Sequence, residues 1–91
     1  MEISGKTVLI TGASRGIGAA SARHLVALGA NVVLTSRSAD VLQSLAAELG
    51  PQAKAVPCDV SNYNQVQTAV QTALGAFGSL DVLVNNAGLL G

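Results

Sequence analysis

Cysteine and histidine occur once each, as Cys58 and His24. A lone cysteine cannot close a disulfide within the chain, and one histidine with one cysteine falls short of the ligand set of a zinc site. The neighbours of Cys58 (Val56, Pro57 and Val60) mark it as a small strand-end side chain rather than a nucleophile. Charge is equally sparse. Five basic and five acidic residues give a formal net charge of zero over 91 residues. The basic ones are scattered singly, so no stripe exists to hold nucleic acid or an anionic membrane. No apolar run approaches the ~18 residues that a bilayer span requires. The start, Met1-Glu2-Ile3-Ser4-Gly5-Lys6, lacks the basic and then apolar pattern of a secretory signal. The expectation is a soluble, cytoplasmic chain with neither nucleic acid nor membrane among its partners.

Apolar residues are plentiful at 49%, and they alternate between short β-rich runs and longer segments of helical period. That alternation is the mark of a parallel sheet with crossover helices. The first strand is expected at Thr7 to Thr11, followed by a helix with Ile17, Ala20, Leu25 and Leu28 on its apolar side, ending at Gly29. A second strand covers Asn31 to Ser36. Ser38 is placed to cap the next helix, whose stripe is Val41, Leu42, Leu45, Ala46 and Leu49 and whose stop is Gly50-Pro51. Ala53 to Cys58 forms the third strand. Ser61 can cap a third helix carrying Val66, Ala69, Val70, Ala73, Leu74 and Phe77, closing at Gly78. The fourth strand is Leu80 to Asn85. The reading is an α/β, three-layer αβα fold of Rossmann type, with sheet order 3-2-1-4 and ligand at the carboxyl ends of strands one and four.

Between the first strand and first helix runs Thr11-Gly12-Ala13-Ser14-Arg15-Gly16-Ile17-Gly18. Gly12 permits a tight bend, Gly16 lets the backbone approach a pyrophosphate, and Gly18 allows close packing of helix on strand. The helix start then offers free N–H groups to anionic oxygens. A glycine pattern alone also suits an ordinary strand-to-helix turn, but its place after the first strand favours a dinucleotide.

This stretch resembles the glycine motif of the short-chain dehydrogenases/reductases, a family of NAD(P)-dependent oxidoreductases. Two further motifs agree. Asp59-Val60 after the third strand resembles the family's adenine-contacting pair, and Asn85-Asn86-Ala87-Gly88 resembles its motif at the end of the fourth strand. The resemblance implies that the Asp59 carboxylate accepts from the adenine amino group and that the Asn85–Gly88 loop braces the sheet beside the cofactor ribose. The alternatives are a helix N-terminal acid for Asp59 and a polar strand-end turn for Asn85 to Gly88.

Cofactor choice turns on the end of the second strand, where an NAD-selective site places a carboxylate about 20 residues past the glycines. Here the sequence is Thr35-Ser36-Arg37-Ser38. Arg37 offers a guanidinium fork suited to a phosphate dianion, and Arg15 stands where NADP-preferring members of the family carry a basic residue. NADP(H) is therefore expected over NAD(H), with Gly12, Ser14, Arg15, Gly16, Ile17, Gly18, Ser36, Arg37, Asp59, Val60, Asn85, Asn86, Ala87 and Gly88 forming its site. Either arginine could instead be a solvated loop charge.

The family's hydride transfer uses a serine and a Tyr-x-x-x-Lys pair, in which tyrosine exchanges a proton with the substrate oxygen. The one tyrosine, Tyr63, has Gln67 in the lysine position, and no catalytic residue is assigned. The expectation is an NAD(P)-binding Rossmann domain over residues 1–91, truncated after its fourth strand and inactive alone. Two alternatives are a stand-alone nucleotide-binding module and a nonfunctional chain that self-associates through the exposed edge of that strand.

Overall fold

Alternate residues of a strand face opposite sides of its sheet, and here both sides are apolar, as a buried parallel strand requires. The computed structural model of the chain describes residues 2–86. The elements run β1 (Thr7–Ile10), α1 (Gly16–Ala27), β2 (Asn31–Ser36), α2 (Ala39–Leu49), β3 (Ala53–Pro57), α3 (Tyr63–Phe77) and β4 (Val82–Val84). All pairings are parallel, in the order β3-β2-β1-β4. The expected fold class and sheet order both hold.

Val8 and Ile10 of β1, with Val32 and Leu34 of β2 and Ala53 of β3, meet Ala19 and Ala22 of α1 and Leu42 and Leu45 of α2. On the opposite face Leu9 and Val33 meet Ala69 and Ala73 of α3, with Val70, Phe77 and Leu80 packed around them. Two helices thus cover one face and one the other, leaving the carboxyl ends of the strands along a single edge.

The first helix is phased differently from the expectation. Its buried residues are Gly18, Ala19 and Ala22, whereas Ile17 is 72% exposed and Leu28 is half exposed. In its first turns small side chains face the strands because the helix lies close against them, and Ile17 is displaced outward; further along, Leu25, as expected, and Val26 pack partly buried against the core. Val41, assigned to the stripe of α2, is likewise exposed. The third helix is capped by Asn62, whose side chain accepts from the Gln65 N–H at 3.2 Å, in place of Ser61. Ser38 stands at the N-cap of α2 without a side-chain cap, and its own N–H donates to Ser36 Oγ at 3.1 Å. Thr11 and Cys58 fall just past their strands, although Thr11 N–H still donates to Val84 O and Cys58 N–H to Ser36 O. Among the described residues no helix is long and apolar enough to cross a membrane.

A carboxylate fastens the amino end of the β1–β4 pair. Asp81 Oδ2 accepts from Thr7 N–H at 2.9 Å and from Ser79 Oγ at 3.1 Å, and Asp81 N–H donates to Thr7 O. The Thr7 N–H, then the Ser79 hydroxyl, hold the Asp81 carboxyl below its ordinary value, with Lys6 adding to the effect. Beside it, the Thr7 side chain is fully buried and its hydroxyl has no partner among the described residues.

Two measurements follow from these contacts. Thr7→Val replaces a buried, unpartnered hydroxyl by a methyl of the same shape and should raise the unfolding free energy by about 1 kcal/mol, read as a higher urea midpoint at unchanged slope. A lower midpoint would mean that the hydroxyl is bonded. Asp81 has a lower pKa folded than unfolded, so its contribution is present above about pH 4 and is lost as pH falls through the folded value. Asp81→Asn should therefore show a smaller fall in urea midpoint between about pH 5 and pH 2.5 than the parent chain. An equal fall would remove Asp81 from the acid response.

Candidate functional site

Gly12 and Gly16 both sit in the left-handed region, at φ of 61° and 60°, where a side chain is strained; the chain there turns sharply from β1 into α1. Gly18 plays a different part. A Cβ built on it would collide with the Gly12 carbonyl, would stand 2.9 Å from Ala13 Cα, and would meet the Asn86 side-chain amide at 2.8 Å. Only a hydrogen at that position lets the helix start rest on the turn and on the loop after β4. By contrast a Cβ on Gly16 would meet nothing within 4 Å. Gly16 is exposed, as are Arg15 and Ile17, while Ser14 is half-buried.

The mouth of this turn is held to both neighbouring strands. Ala13 N–H donates to Thr35 O at 3.0 Å, and the buried Thr35 hydroxyl donates to Ile10 O at 3.1 Å. On the other side the Thr11 hydroxyl donates to Asn85 Oδ1 at 3.0 Å and accepts from Asn86 N–H at 2.8 Å. The glycine turn and the Asn85-Asn86 segment therefore meet through one threonine side chain. Thr11 was not among the expected site residues; the signal for it is a polar β-branched residue ending an otherwise apolar strand. Ala87 and Gly88 lie outside the described residues.

The start of α1 has no side-chain cap and no acidic residue in its first turn. Its leading N–H groups carry the positive end of the helix dipole. Among the described residues a Cβ on Gly16 would meet nothing within 4 Å, so this helix start is open on that side, and an open helix start suits anionic groups.

A second cluster lies at the ends of β2 and β3. Arg37, Pro57, Cys58, Asp59 and Gln65 line a shallow groove of about 200 Å³. Arg37 is exposed at the carboxyl end of β2, and Ser36 beneath it is buried. Asp59 Oδ1 accepts from Ser61 Oγ at 2.7 Å and from Ser61 N–H at 2.9 Å. The Ser61 hydroxyl first, then its N–H, hold the Asp59 carboxyl below its ordinary value, and the positive charge of Arg37 acts in the same direction. Asp59 is thus an anion at neutral pH. The Asp59 N–H donates to Gln65 Oε1 at 2.6 Å, so a residue passed over in the sequence orders this corner. Val60 is 44% exposed beside it.

Two side chains are placed away from chemistry. Cys58 is buried, and burial pushes its thiol pKa up, which disfavours the reactive thiolate. Tyr63 is exposed, its hydroxyl accepting from Gln67 Nε2 at 2.7 Å, with no lysine in that pair. Among the described residues no group of three or more His, Cys, Asp or Glu side chains is arranged to hold a metal ion.

The arrangement has counterparts of known identity. The family model described as short chain dehydrogenase matches residues 6–91. Momilactone A synthase of Oryza sativa subsp. japonica is 47% identical over 91 residues, covering 99% of this chain and 33% of that protein. Sorbitol dehydrogenase of Cereibacter sphaeroides is 43% identical over 89 residues, covering 98% of this chain and 35% of that protein. Among solved structures, a 3-ketoacyl-(acyl-carrier-protein) reductase from Brucella melitensis complexed with NADH superposes with a TM-score of 0.86 at 40% identity, covering 89% of this chain and 33% of that one. The apo-form of Caenorhabditis elegans glucose dehydrogenase gives a TM-score of 0.88 at 34% identity, covering 94% and 39%. The chain spans about a third of the length of the curated relatives it matches. With its glycine turn, its four parallel strands and this match over nearly all of its sequence, the chain belongs to the short chain dehydrogenase family.

Proposed function

We propose that these residues form the N-terminal, NADP(H)-binding portion of a reductase or dehydrogenase that moves hydride between nicotinamide and a carbonyl or alcohol. The observation that carries the reading is the alignment of two sites along one sheet edge: the open glycine turn at β1 and the Arg37–Asp59 groove at β2 and β3. Gly12, Ser14, Gly16, Ile17 and Gly18 receive the diphosphate, with the exposed Ile17 lying along the dinucleotide. Ser36 and Arg37, with Arg15 across the turn, receive a 2′-phosphate. Asp59 and Val60 receive the adenine, and Asn85, Asn86, Ala87 and Gly88 the ribose on the nicotinamide side. The domain comprises residues 1–91.

The Brucella reductase was solved with NADH, which lacks the 2′-phosphate. The preference for NADP(H) in this chain rests on Arg37 standing where an NAD site would carry a carboxylate. When bound, the cofactor would donate or accept the hydride, and the residues described here would bind, orient and neutralise it. Proton transfer falls to residues outside these 91, because Tyr63 faces Gln67 and has no lysine partner. The 91-residue chain is therefore inactive by itself. A cytoplasmic setting accords with the single free thiol among these 91 residues.

A second reading, self-association, is favoured by the exposed flank of β4. That strand pairs with β1 alone among the described residues, and Leu83, which shares a register position with buried Leu9, is 60% exposed. A net charge of zero offers no long-range repulsion between copies.

Calorimetric titration tests the first reading. The chain should bind NADPH more tightly than NADH, and Arg37→Ala should weaken NADPH by about 10- to 100-fold while moving NADH by less than about threefold. Equal affinities in the parent chain would refute the preference, and no binding by folded protein would refute the site. Sedimentation tests the second reading: the parent chain should associate at tens of micromolar or above, and Leu83→Lys should remain monomeric. A monomeric parent at these concentrations would dismiss it.

A further inference from the structure

Gln65 lies in the first turn of α3, three residues after its Asn62 cap, the spacing at which a glutamine ordinarily reaches back to the N–H of the cap residue. Here it does something else. Its Oε1 accepts from the Asp59 N–H at 2.6 Å, while the Asn62 N–H donates to Asp59 O at 2.9 Å. The capping glutamine has been redirected onto the residue whose carboxylate lines the groove. An exposed glutamine gives up rotamer freedom to hold such a contact.

The chemistry of that bond fixes the orientation of the amide. A backbone N–H is a donor, so the group facing it is the carboxamide oxygen. The Nε2 end is then the part of Gln65 available to a molecule in the groove, and Gln65 lines that groove together with Asp59 and Arg37. Ser61 occupies Asp59 Oδ1 with two hydrogen bonds, which leaves Oδ2 as the oxygen that Ser61 does not engage. An acceptor on Asp59 and a donor on Gln65 therefore both belong to residues that line the groove, joined by one hydrogen bond. Adenine presents the complement of this pair, an amino donor beside a ring-nitrogen acceptor; hypoxanthine presents the reverse, a carbonyl beside an N–H.

We propose that Gln65 is a positioning and specificity residue for the adenine end of the cofactor, holding Asp59 in place and supplying a donor that, with the Asp59 acceptor, separates adenine from hypoxanthine. The inference rests on the reading that the Arg37–Asp59 groove receives adenosine, and the experiment distinguishes the two. The probes are 5′-AMP, 5′-IMP and 2′,5′-ADP, titrated by NMR into the 91-residue chain and into Gln65→Leu and Arg37→Ala. The parent chain should favour AMP over IMP. Gln65→Leu should weaken AMP by about tenfold and IMP little, narrowing that ratio by about as much, with the thermal midpoint held to within about 2 °C because the side chain is exposed. Arg37→Ala should weaken 2′,5′-ADP and leave the AMP-to-IMP ratio unchanged. An unaltered ratio in Gln65→Leu, or an equal loss for both nucleotides, would overturn the role given to Gln65 while 2′,5′-ADP binding upheld the groove. A parent chain that binds neither AMP nor 2′,5′-ADP would remove the adenosine reading, and the Gln65 proposal with it.

Discussion

The contact on which the rest of the site depends is the seat of Gly18 against the Gly12 carbonyl. There is no room at that point for a single methyl group, so the first helix rests on the turn that precedes it and against the Asn86 side chain. That closeness explains the composition of the inward face of α1, where Gly18, Ala19 and Ala22 pack. At these three positions larger residues would lift the start of the helix from the strands. It also fixes where the helix begins, and with it the direction in which its uncapped N–H groups point.

Around that seat the polar groups at the strand ends are used twice. Thr35 braces the glycine turn through its carbonyl and β1 through its hydroxyl. Thr11 joins the same turn to the segment after β4. Asp59 is held through its carboxylate by Ser61 and through its N–H by Gln65. In each case a short side chain at the end of an apolar strand satisfies backbone groups that the sheet leaves open. The ligand edge is therefore stiffened by the same bonds that terminate the strands.

Most of this architecture is legible in the sequence because it follows from periods. Short β-branched runs separated by helical spacings imply parallel strands and crossovers, and the glycine turn after the first strand implies the sheet order. The phase of α1 is less legible. An apolar stripe chosen by size selects Ile17 and Leu28, yet close packing favours the smallest residues, and those score weakly as hydrophobic. The cap of α3 moves from Ser61 to Asn62 because Ser61 is already engaged with Asp59, a competition between two local turns that adjacency alone does not decide. Gln65 is less legible for a related reason: it acts through a bond to Asp59, which a motif already names, and motifs record the named residue rather than its support; Thr11 heads the glycine motif, but its link to Asn85 and Asn86 is not written there. Arg37, by contrast, is visible because it stands where a carboxylate is expected.

The clamp at Asp81 has one further effect. Three residues of ladder in β4 are few to define an alignment, but the strand is also gripped beyond both ends, by Asp81 on Thr7 and by Asn86 on Thr11. These grips act as a ruler. Sliding β4 by one residue would turn Leu83 toward the opposite face, reverse Val82 and Val84, and draw Asn86 away from both Thr11 and Gly18. The strand's register and the shape of the ligand edge are thus one variable, set in part at the opposite end of the sheet by the Asp81 carboxylate.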